Sequence, residues 1–163
     1  MNSNIPKNEK AIENDFRDCE RVKAYIPIDK ESFKEYLIRA QKDLGSAFSD
    51  LENGYFYWSV IKSYQVLFFA TNALLVKYCG YYSKNHKCLL TALLKEKVIS
   101  AQFAKELDKT INGLKNLNEI DGIRLERNKA LYQPISWKTI TKQQAERILE
   151  RVRNLMNEMV GLL

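Results

Sequence analysis

Glycine and proline are scarce in this sequence, and their scarcity restricts the fold class. The 163 residues include only 6 Gly and 3 Pro. β-Sandwiches and barrels need many tight turns, which draw heavily on these two residues, so the composition argues against those folds. The length fits one domain. A hydrophobic content of 45% with 28% charged residues is typical of a soluble globular protein and not of a disordered one.

Histidine and glycine-rich loops are also scarce, which excludes several classes of enzyme. His86 is the only histidine, and no G-x-S-x-G motif accompanies it to indicate a serine hydrolase. The dispersed glycines form neither a G-x-G-x-x-G nor a G-x-x-x-x-G-K-[ST] phosphate-binding loop. Cys79, His86 and Cys88 lie close together but lack a fourth ligand, so we expect no metal site. We also expect no cofactor, and we expect His86 to cap or pack against the start of a helix.

The cysteines indicate a reducing compartment. Cys19, Cys79 and Cys88 form no C-x-x-C pair, and their number is odd. The N-terminal sequence MNSNIPKNEK contains no apolar segment of the kind found in secretory signals. Together these features predict reduced thiols and a cytoplasmic protein.

The composition changes near residue 29. Residues 1–28 are polar, with mixed charges and no long apolar period, and we expect a partly disordered or loosely docked leader with a short helix around residues 12–22. Residues 29–163 carry apolar residues at helical spacing. Helices are predicted to begin at the N-caps Asp29, Ser83, Ser100 and Asp121 and at a capping box formed by Thr141 and Gln144. They are predicted to end at Gly54, Gly80 and Pro134. No segment alternates with the period of a strand. The chain is therefore predicted to be all-α, an up-and-down bundle of about five to six helices.

The helix predicted over residues 55–79 has unusually few charges. Only Lys62 and Lys77 are charged, but four polar residues interrupt the apolar run: Ser63, Gln65, Thr71 and Asn72. A membrane-spanning helix needs about 20 predominantly apolar residues in a row. We therefore expect a central helix of a soluble bundle, covered by neighbouring helices and by a second subunit, rather than a membrane span.

Basic residues are concentrated in two regions of a chain with a net charge of +6. Residues 53–95 contain five lysines and no acid, and a second region contains Arg124, Arg127, Lys129 and three arginines at 147, 151 and 153. Charged residues on a helix usually form a solvated face. The alternative is a surface that binds phosphate groups, to which arginine offers bidentate contacts.

The segment GYFYWSVIKSYQVLFFATNALLVKYCGYYSKNH carries a recognisable pattern. Its elements are Gly54-Tyr55, Ser63-Tyr64, Leu67-Phe68, Ala70, Ala73-Leu74-Leu75, Gly80 and Lys84-x-His86, preceded by Ala40 and Leu44 and followed by RNKALY at residues 127–132. In order and spacing this pattern resembles the HEPN domain (higher eukaryotes and prokaryotes nucleotide-binding) over about residues 33–160. The resemblance implies an α-helical bundle that usually forms homodimers. It also implies a role in defence, toxin–antitoxin or RNA-processing systems, in some cases beside a minimal nucleotidyltransferase.

Catalytic members of the family are metal-independent endoribonucleases with an Arg, a polar residue and a His four to six residues further on. In this chain Arg127 and Asn128 match the first two positions, and Tyr132 stands where the histidine is expected. An imidazole exchanges protons near neutral pH, whereas a phenol with a pKa near 10 is a poor base. Tyr132 can still donate a hydrogen bond to a phosphate or stack on a base.

These residues leave three interpretations. The first is a dimeric binding or accessory module for RNA or a nucleotide, with a site formed by Arg127, Asn128, Tyr132, Arg124 and Lys129. The second is an endoribonuclease that uses Arg127 and Asn128 despite the tyrosine. The third is a non-catalytic scaffold, in which Arg127 pairs with a nearby acid and Tyr132 packs beside Pro134.

Overall fold

The computed structural model of the chain describes residues 5–6, 8–118 and 140–163, with the side chains of 115–118 excepted. Within these residues it contains six α-helices and one short two-stranded ribbon. In chain order they are α1 (Glu9–Arg21), β1 (Tyr25–Pro27), α2 (Phe33–Glu52), α3 (Phe56–Cys79), β2 (Tyr81–Ser83), α4 (His86–Lys95), α5 (Ala101–Asn118) and α6 (Lys142–Leu162). The predicted all-α bundle is confirmed.

Local side-chain chemistry sets several of the helix starts. Asp29 accepts a hydrogen bond from the backbone of Glu31 and begins a single 3-10 turn that leads into α2. The Ser100 hydroxyl accepts from the backbone of Phe103 at 3.1 Å, and Thr141 and Gln144 form the predicted capping box. The N-cap predicted at Ser83 is wrong, because Asn85 caps α4. The ends predicted at Asp121 and Pro134 lie outside the described residues.

Helix α3 is the buried centre of the bundle. Twelve of its residues are buried: Ser59, Val60, Ser63, Val66, Leu67, Ala70, Thr71, Asn72, Ala73, Leu74, Leu75 and Val76. Helices α2 and α6 pack along it with apolar faces that follow helical spacing, such as Ala145, Leu149 and Val152 on α6. Among the described helices, α3 alone is long and apolar enough to cross a membrane, but 67% of that apolar window is buried in the protein. This burial fits the core helix of a soluble protein.

A short antiparallel ribbon joins the N-terminal segment to the end of α3. Strands β1 and β2 pair with Tyr25 opposite Ser83 and Pro27 opposite Tyr81. The prediction that the chain has no strand is therefore wrong. Three residues on each side are too few to show the two-residue alternation that reveals a strand in a sequence. Between α3 and β2, Gly80 ends the helix in the left-handed conformation, at φ 73°.

The N-terminal helix α1 packs against α4. The helix expected around residues 12–22 spans Glu9–Arg21, and its buried residues are Phe16 and Cys19. A disulfide joins Cys19 to Cys88 across 69 positions of sequence. The prediction of reduced thiols is therefore wrong for these two cysteines, whose pairing depends on tertiary proximity that sequence spacing does not reveal. The predicted domain boundary at residue 29 stays a prediction.

Candidate functional site

The residues predicted to form the site lie outside the described part of the structure. Arg124, Arg127, Asn128, Lys129 and Tyr132 all belong to the segment between α5 and α6. Their roles therefore stay predictions. Four features of the described residues bear on function: a histidine cluster, two sets of basic side chains, a groove beside α6 and a group of tyrosines with raised pKa.

The histidine cluster lies where α3 and α4 meet. His86 is the first residue of α4, and its Nε2 lies 2.5 Å from the hydroxyl of Tyr64. The ring of His86 also packs edge-on against Tyr64 and Phe68, with centroid distances of 5.1 and 5.2 Å. His86 was expected to cap or pack against the start of a helix; it lies at the start of α4, but Asn85 is the cap and His86 packs on side chains of α3. The only imidazole of the chain is thus in contact with two aromatic side chains, a phenol that hydrogen-bonds it and a phenyl ring.

Asn72 fixes the connection that carries His86. Its side-chain oxygen accepts from the backbone N–H of Ser83 at 2.9 Å, and its amide donates to the carbonyls of Ser83 at 3.1 Å and Phe68 at 3.2 Å. Asn72 and Ser83 are both fully buried. Because a buried backbone group needs a partner, this amide holds β2 against α3 and sets the path of the chain into α4.

Three lysines of the acid-free stretch form ion pairs with acidic residues from other parts of the chain. Lys62 pairs with Asp50 at 2.6 Å, and Lys87 pairs with Asp15 at 3.0 Å. Lys95 pairs with Glu13 at 3.6 Å. The sequence showed a leader of mixed charge and an acid-free stretch, but not that acids of the leader pack on that stretch. These three lysines are part of ion pairs rather than an open phosphate-binding surface.

The arginines of α6 are also partly neutralised. Arg151 contacts Glu106 at 3.3 Å and donates to the hydroxyl of Thr110 at 2.8 Å. Arg153 pairs with Glu150 at 2.7 Å. Arg147 is exposed and forms no ion pair with any described residue. Within the described part of this second basic region, the three arginines of α6 are therefore either paired or exposed to solvent.

A groove of about 690 Å³ lies between α5 and α6. Its lining contains four carboxylates and two guanidiniums, from Glu106, Glu146, Glu150, Glu158, Arg147 and Arg151. Acids outnumber bases there, so the groove does not favour a phosphate group. The four-residue spacing of Glu146 and Glu150 was the available sequence signal for this acidic face. Within the described ranges no cluster of histidine, cysteine and carboxylate side chains suits a metal ion.

Several titratable groups near the ribbon have raised pKa values. Burial, aided by the mutual proximity of the rings, raises the pKa of Tyr25 above its usual range. Burial likewise raises the pKa of Tyr81, with help from neighbouring Cys79. Burial also raises the pKa of the Cys79 thiol, which keeps it protonated and a weak nucleophile at neutral pH.

Comparison with protein-family models decides the affiliation of the chain. The model of the HEPN domain matches residues 33–162. This chain belongs to the HEPN family. Comparison with curated proteins and with solved structures found no match.

The HEPN match covers the bundle from α2 onwards and leaves out the N-terminal elements. It begins at the first residue of α2 and includes the histidine cluster, the α5–α6 groove and the segment with the predicted site. Helix α1 and strand β1 precede it. The acids that neutralise Lys87 and Lys95 therefore come from outside the HEPN region of the chain.

Proposed function

We propose that this HEPN protein is a cytoplasmic binding or accessory module for RNA or a nucleotide, and not a nuclease. Its family is often nucleotide-related or RNase-like, which supports the ligand class. The proposed site consists of Arg127 and Asn128 with Arg124, Lys129 and Tyr132. In it Arg127 binds a phosphate through charge-assisted hydrogen bonds, and Tyr132 stacks on a base or donates a hydrogen bond.

One observation carries the non-catalytic part of this proposal. The chain has a single histidine, and that imidazole is bound by the Tyr64 hydroxyl at the start of α4. Metal-independent RNA cleavage needs a base to take the proton of the ribose 2′-hydroxyl. With Tyr132 at the position of the family histidine, no imidazole belongs to the Arg127–Asn128 motif.

The proposed biological setting follows from the family resemblance. Accessory HEPN members act with a minimal nucleotidyltransferase in toxin–antitoxin or defence systems, and we propose that class of partner for this chain. A homodimer that brings two copies of Arg127 to one cleft is part of the same proposal.

RNA binding by an arginine variant tests the proposed site. Arg127→Ala should weaken binding of a labelled single-stranded RNA by about 1–3 kcal/mol, because a charge-assisted contact to phosphate is lost. Binding by the unmodified protein should also fall steeply with salt as counterions are released. Fluorescence anisotropy over a salt series measures both effects.

Arg147→Ala is the matched control, because it removes an exposed arginine from the acid-lined groove. This variant should bind RNA as the unmodified protein does. Equal binding by Arg127→Ala and the unmodified protein would return Arg127 to a structural role and favour the scaffold interpretation. The alternative is an endoribonuclease, which the match of Arg127 and Asn128 to the catalytic motif supports. Cleavage of RNA in EDTA that is lost in Arg127→Ala would establish that alternative.

A further inference from the structure

Helices α1 and α4 are joined by an antiparallel ladder of contacts. Moving backwards along α1, Asp15 pairs with Lys87, Glu13 with Lys95 and Glu9 with Lys97, at 3.0, 3.6 and 3.9 Å. The ammonium group of Lys95 also lies 3.6 Å from the ring centroid of Phe16. The acids of α1 thus cover lysines at both ends of α4.

The contact between α1 and α4 has a covalent bond at one end and an exposed ion pair at the other. Cys19 and Cys88 form a disulfide next to the shortest ion pair. At the far end, the side chains of Lys97 and Glu9 are 83% and 92% exposed. Exposed ion pairs contribute little to stability because water and salt screen them. The Lys97–Glu9 pair therefore adds little to the attachment of α1, whereas the Lys87–Asp15 and Lys95–Glu13 pairs are partly covered.

Few apolar groups anchor α1 once the disulfide is set aside. Of its 13 residues only Phe16 and Cys19 are buried, and Cys19 is one of the bonded cysteines. After reduction, α1 keeps the buried Phe16 ring, the buried Cys19 side chain and the partly buried Ile12 as its contacts with the bundle, and buried Ile5 precedes it. The bundle itself does not depend on α1 for its central packing, which α2, α3 and α6 provide.

The surface beneath α1 is suited to a polyanion. The sequence from residue 53 to residue 95 contains no acid, and Glu96 is the one acid that stands between Lys95 and Lys97. Exposed Lys84 precedes α4 without an ion-pair partner among the described residues. If α1 moves away, Lys87, Lys95 and Lys97 lose their carboxylate partners and join Lys84 on one basic surface. Successive lysines at such a surface match the repeating phosphates of a nucleic acid strand.

From this geometry we infer that the Cys19–Cys88 disulfide is a redox latch. In the oxidised protein it holds the acidic helix α1 over the lysines of α4, and its reduction exposes them to the phosphate backbone of single-stranded RNA. A dithiol supplies two electrons and two protons, so the S–S bond becomes two thiols while the reagent closes to its own disulfide. The choice of RNA rests on the proposed function, although the latch itself does not.

Hydrogen exchange and RNA binding test the latch on the full chain. The protein is incubated with dithiothreitol until the free thiols rise from one to three per chain. Reduction should increase amide exchange in residues 9–21 at least tenfold. It should also strengthen binding of a fluorescein-labelled oligouridylate. The slope of log K against log salt should steepen by about two, because three lysines gain phosphate contacts on a single strand.

Matched variants separate the latch from other redox effects. Cys19→Ser should behave as the reduced protein in both buffers, whereas Cys79→Ser should respond to dithiothreitol as the unmodified protein does. The triple variant Lys87→Gln, Lys95→Gln, Lys97→Gln should lose the gain in binding but keep the faster exchange. If Cys19→Ser does not fold, the unmodified protein in dithiothreitol still decides the question.

The outcomes also distinguish this inference from the proposed function. Unchanged exchange in residues 9–21 after reduction would overturn the latch, as would faster exchange without stronger RNA binding. An increase in RNA affinity on reduction that persists in Arg127→Ala would support the latch. If Arg127→Ala also bound RNA as tightly as the unmodified protein, the Arg127 site would be refuted and the latch would stand. Absence of RNA binding in both redox states would overturn both.

Discussion

At position 132 a phenol stands where catalytic HEPN members carry an imidazole. The difference concerns one proton: at neutral pH a phenol keeps it, whereas an imidazole with a pKa near 6.5 accepts and releases it readily. His86 is the only histidine of the chain and is hydrogen-bonded to Tyr64, so no other imidazole can take this role. A single substitution at position 132 can therefore test whether the missing imidazole is what prevents catalysis.

Tyr132→His should create metal-independent cleavage of RNA. The variant restores the Arg-Asn-x-x-x-His pattern, and a positioned general base contributes about 10²–10⁴-fold in rate. Gel analysis in EDTA should show products ending in a 2′,3′-cyclic phosphate. The double variant Tyr132→His, Arg127→Ala is the control and should be inactive. A Tyr132→His variant that folds, binds RNA and does not cleave it would show that this position is not catalytic.

Asn72 should contribute more to stability than any exposed asparagine. Asn72→Ala removes three hydrogen bonds and leaves the buried N–H and carbonyl of Ser83 without their side-chain partner. A buried unsatisfied polar group costs about 1–3 kcal/mol, which should appear in urea unfolding. Asn53→Ala, at the exposed end of α2, should change stability by less than about 0.5 kcal/mol. Equal effects of the two substitutions would contradict this role for Asn72.

Residue-level features could be predicted from sequence only where they are local. The caps at Asp29, Ser100 and Thr141 were predictable, because a capping side chain binds the backbone two or three residues ahead. The bond from Asn72 to Ser83 crosses 11 residues, and that from Cys19 to Cys88 crosses 69. No local pattern marks such partners, which depend on how the helices pack.

At the scale of elements, α3 shows why a nearly uncharged helix need not lie in a membrane or an interface. Its sequence predicted a covered helix, and the structure covers it with α2 and α6 of the same chain. The strands β1 and β2 were not predictable, because each has three residues and is held by tertiary contacts. Of the α1 segment, sequence predicted the helix but not the disulfide and ion pairs that attach it.

The two partly buried tyrosines of the β1–β2 ribbon, Tyr25 and Tyr81, should lower the free energy of unfolding at alkaline pH. Burial raises the pKa of Tyr25 and Tyr81 in the folded state, whereas unfolded tyrosine titrates near pH 10. Above that pH the unfolded chain binds fewer protons than the folded one, so the stabilising effect is complete below about pH 10 and lost as pH rises beyond it. Urea midpoints measured from pH 9 to pH 11 should therefore fall.

Phenylalanine variants identify the groups responsible for this fall. Tyr25→Phe and Tyr81→Phe should each make the decline with pH shallower. Tyr55→Phe, at a site that is 60% exposed, should leave it unchanged. A decline that is identical in all three variants would assign the alkaline sensitivity to other groups.

At the scale of the whole molecule, a homodimer remains to be tested. The chain itself covers most of α3, so low charge in that helix no longer requires a second subunit. Tyr55 and Trp58 at the start of α3 are nevertheless 60% and 43% exposed, and exposed large aromatic side chains are common at interfaces. We expect sedimentation at micromolar concentration to give about 38 kDa, twice the chain mass of 19.0 kDa.

A charge placed on this aromatic surface should weaken the dimer. Trp58→Glu should shift sedimentation towards the 19.0 kDa monomer, because burying an unpaired carboxylate is costly. Val22→Glu, at an exposed site that precedes the HEPN region, should leave the association unchanged. A monomer at all concentrations in the unmodified protein would contradict the proposed dimer.

The bond between Cys19 and Cys88 also determines how the chain carries mechanical load. A force applied to the two termini passes directly from α1 to α4 and bypasses the 68 residues between the cysteines, which include α2 and α3. Stretched in an optical trap, the oxidised chain should extend by about 220–240 Å less than the reduced one, at 3.3–3.6 Å per residue. The most deeply buried helix would thus bear tension only after the cross-link is cut.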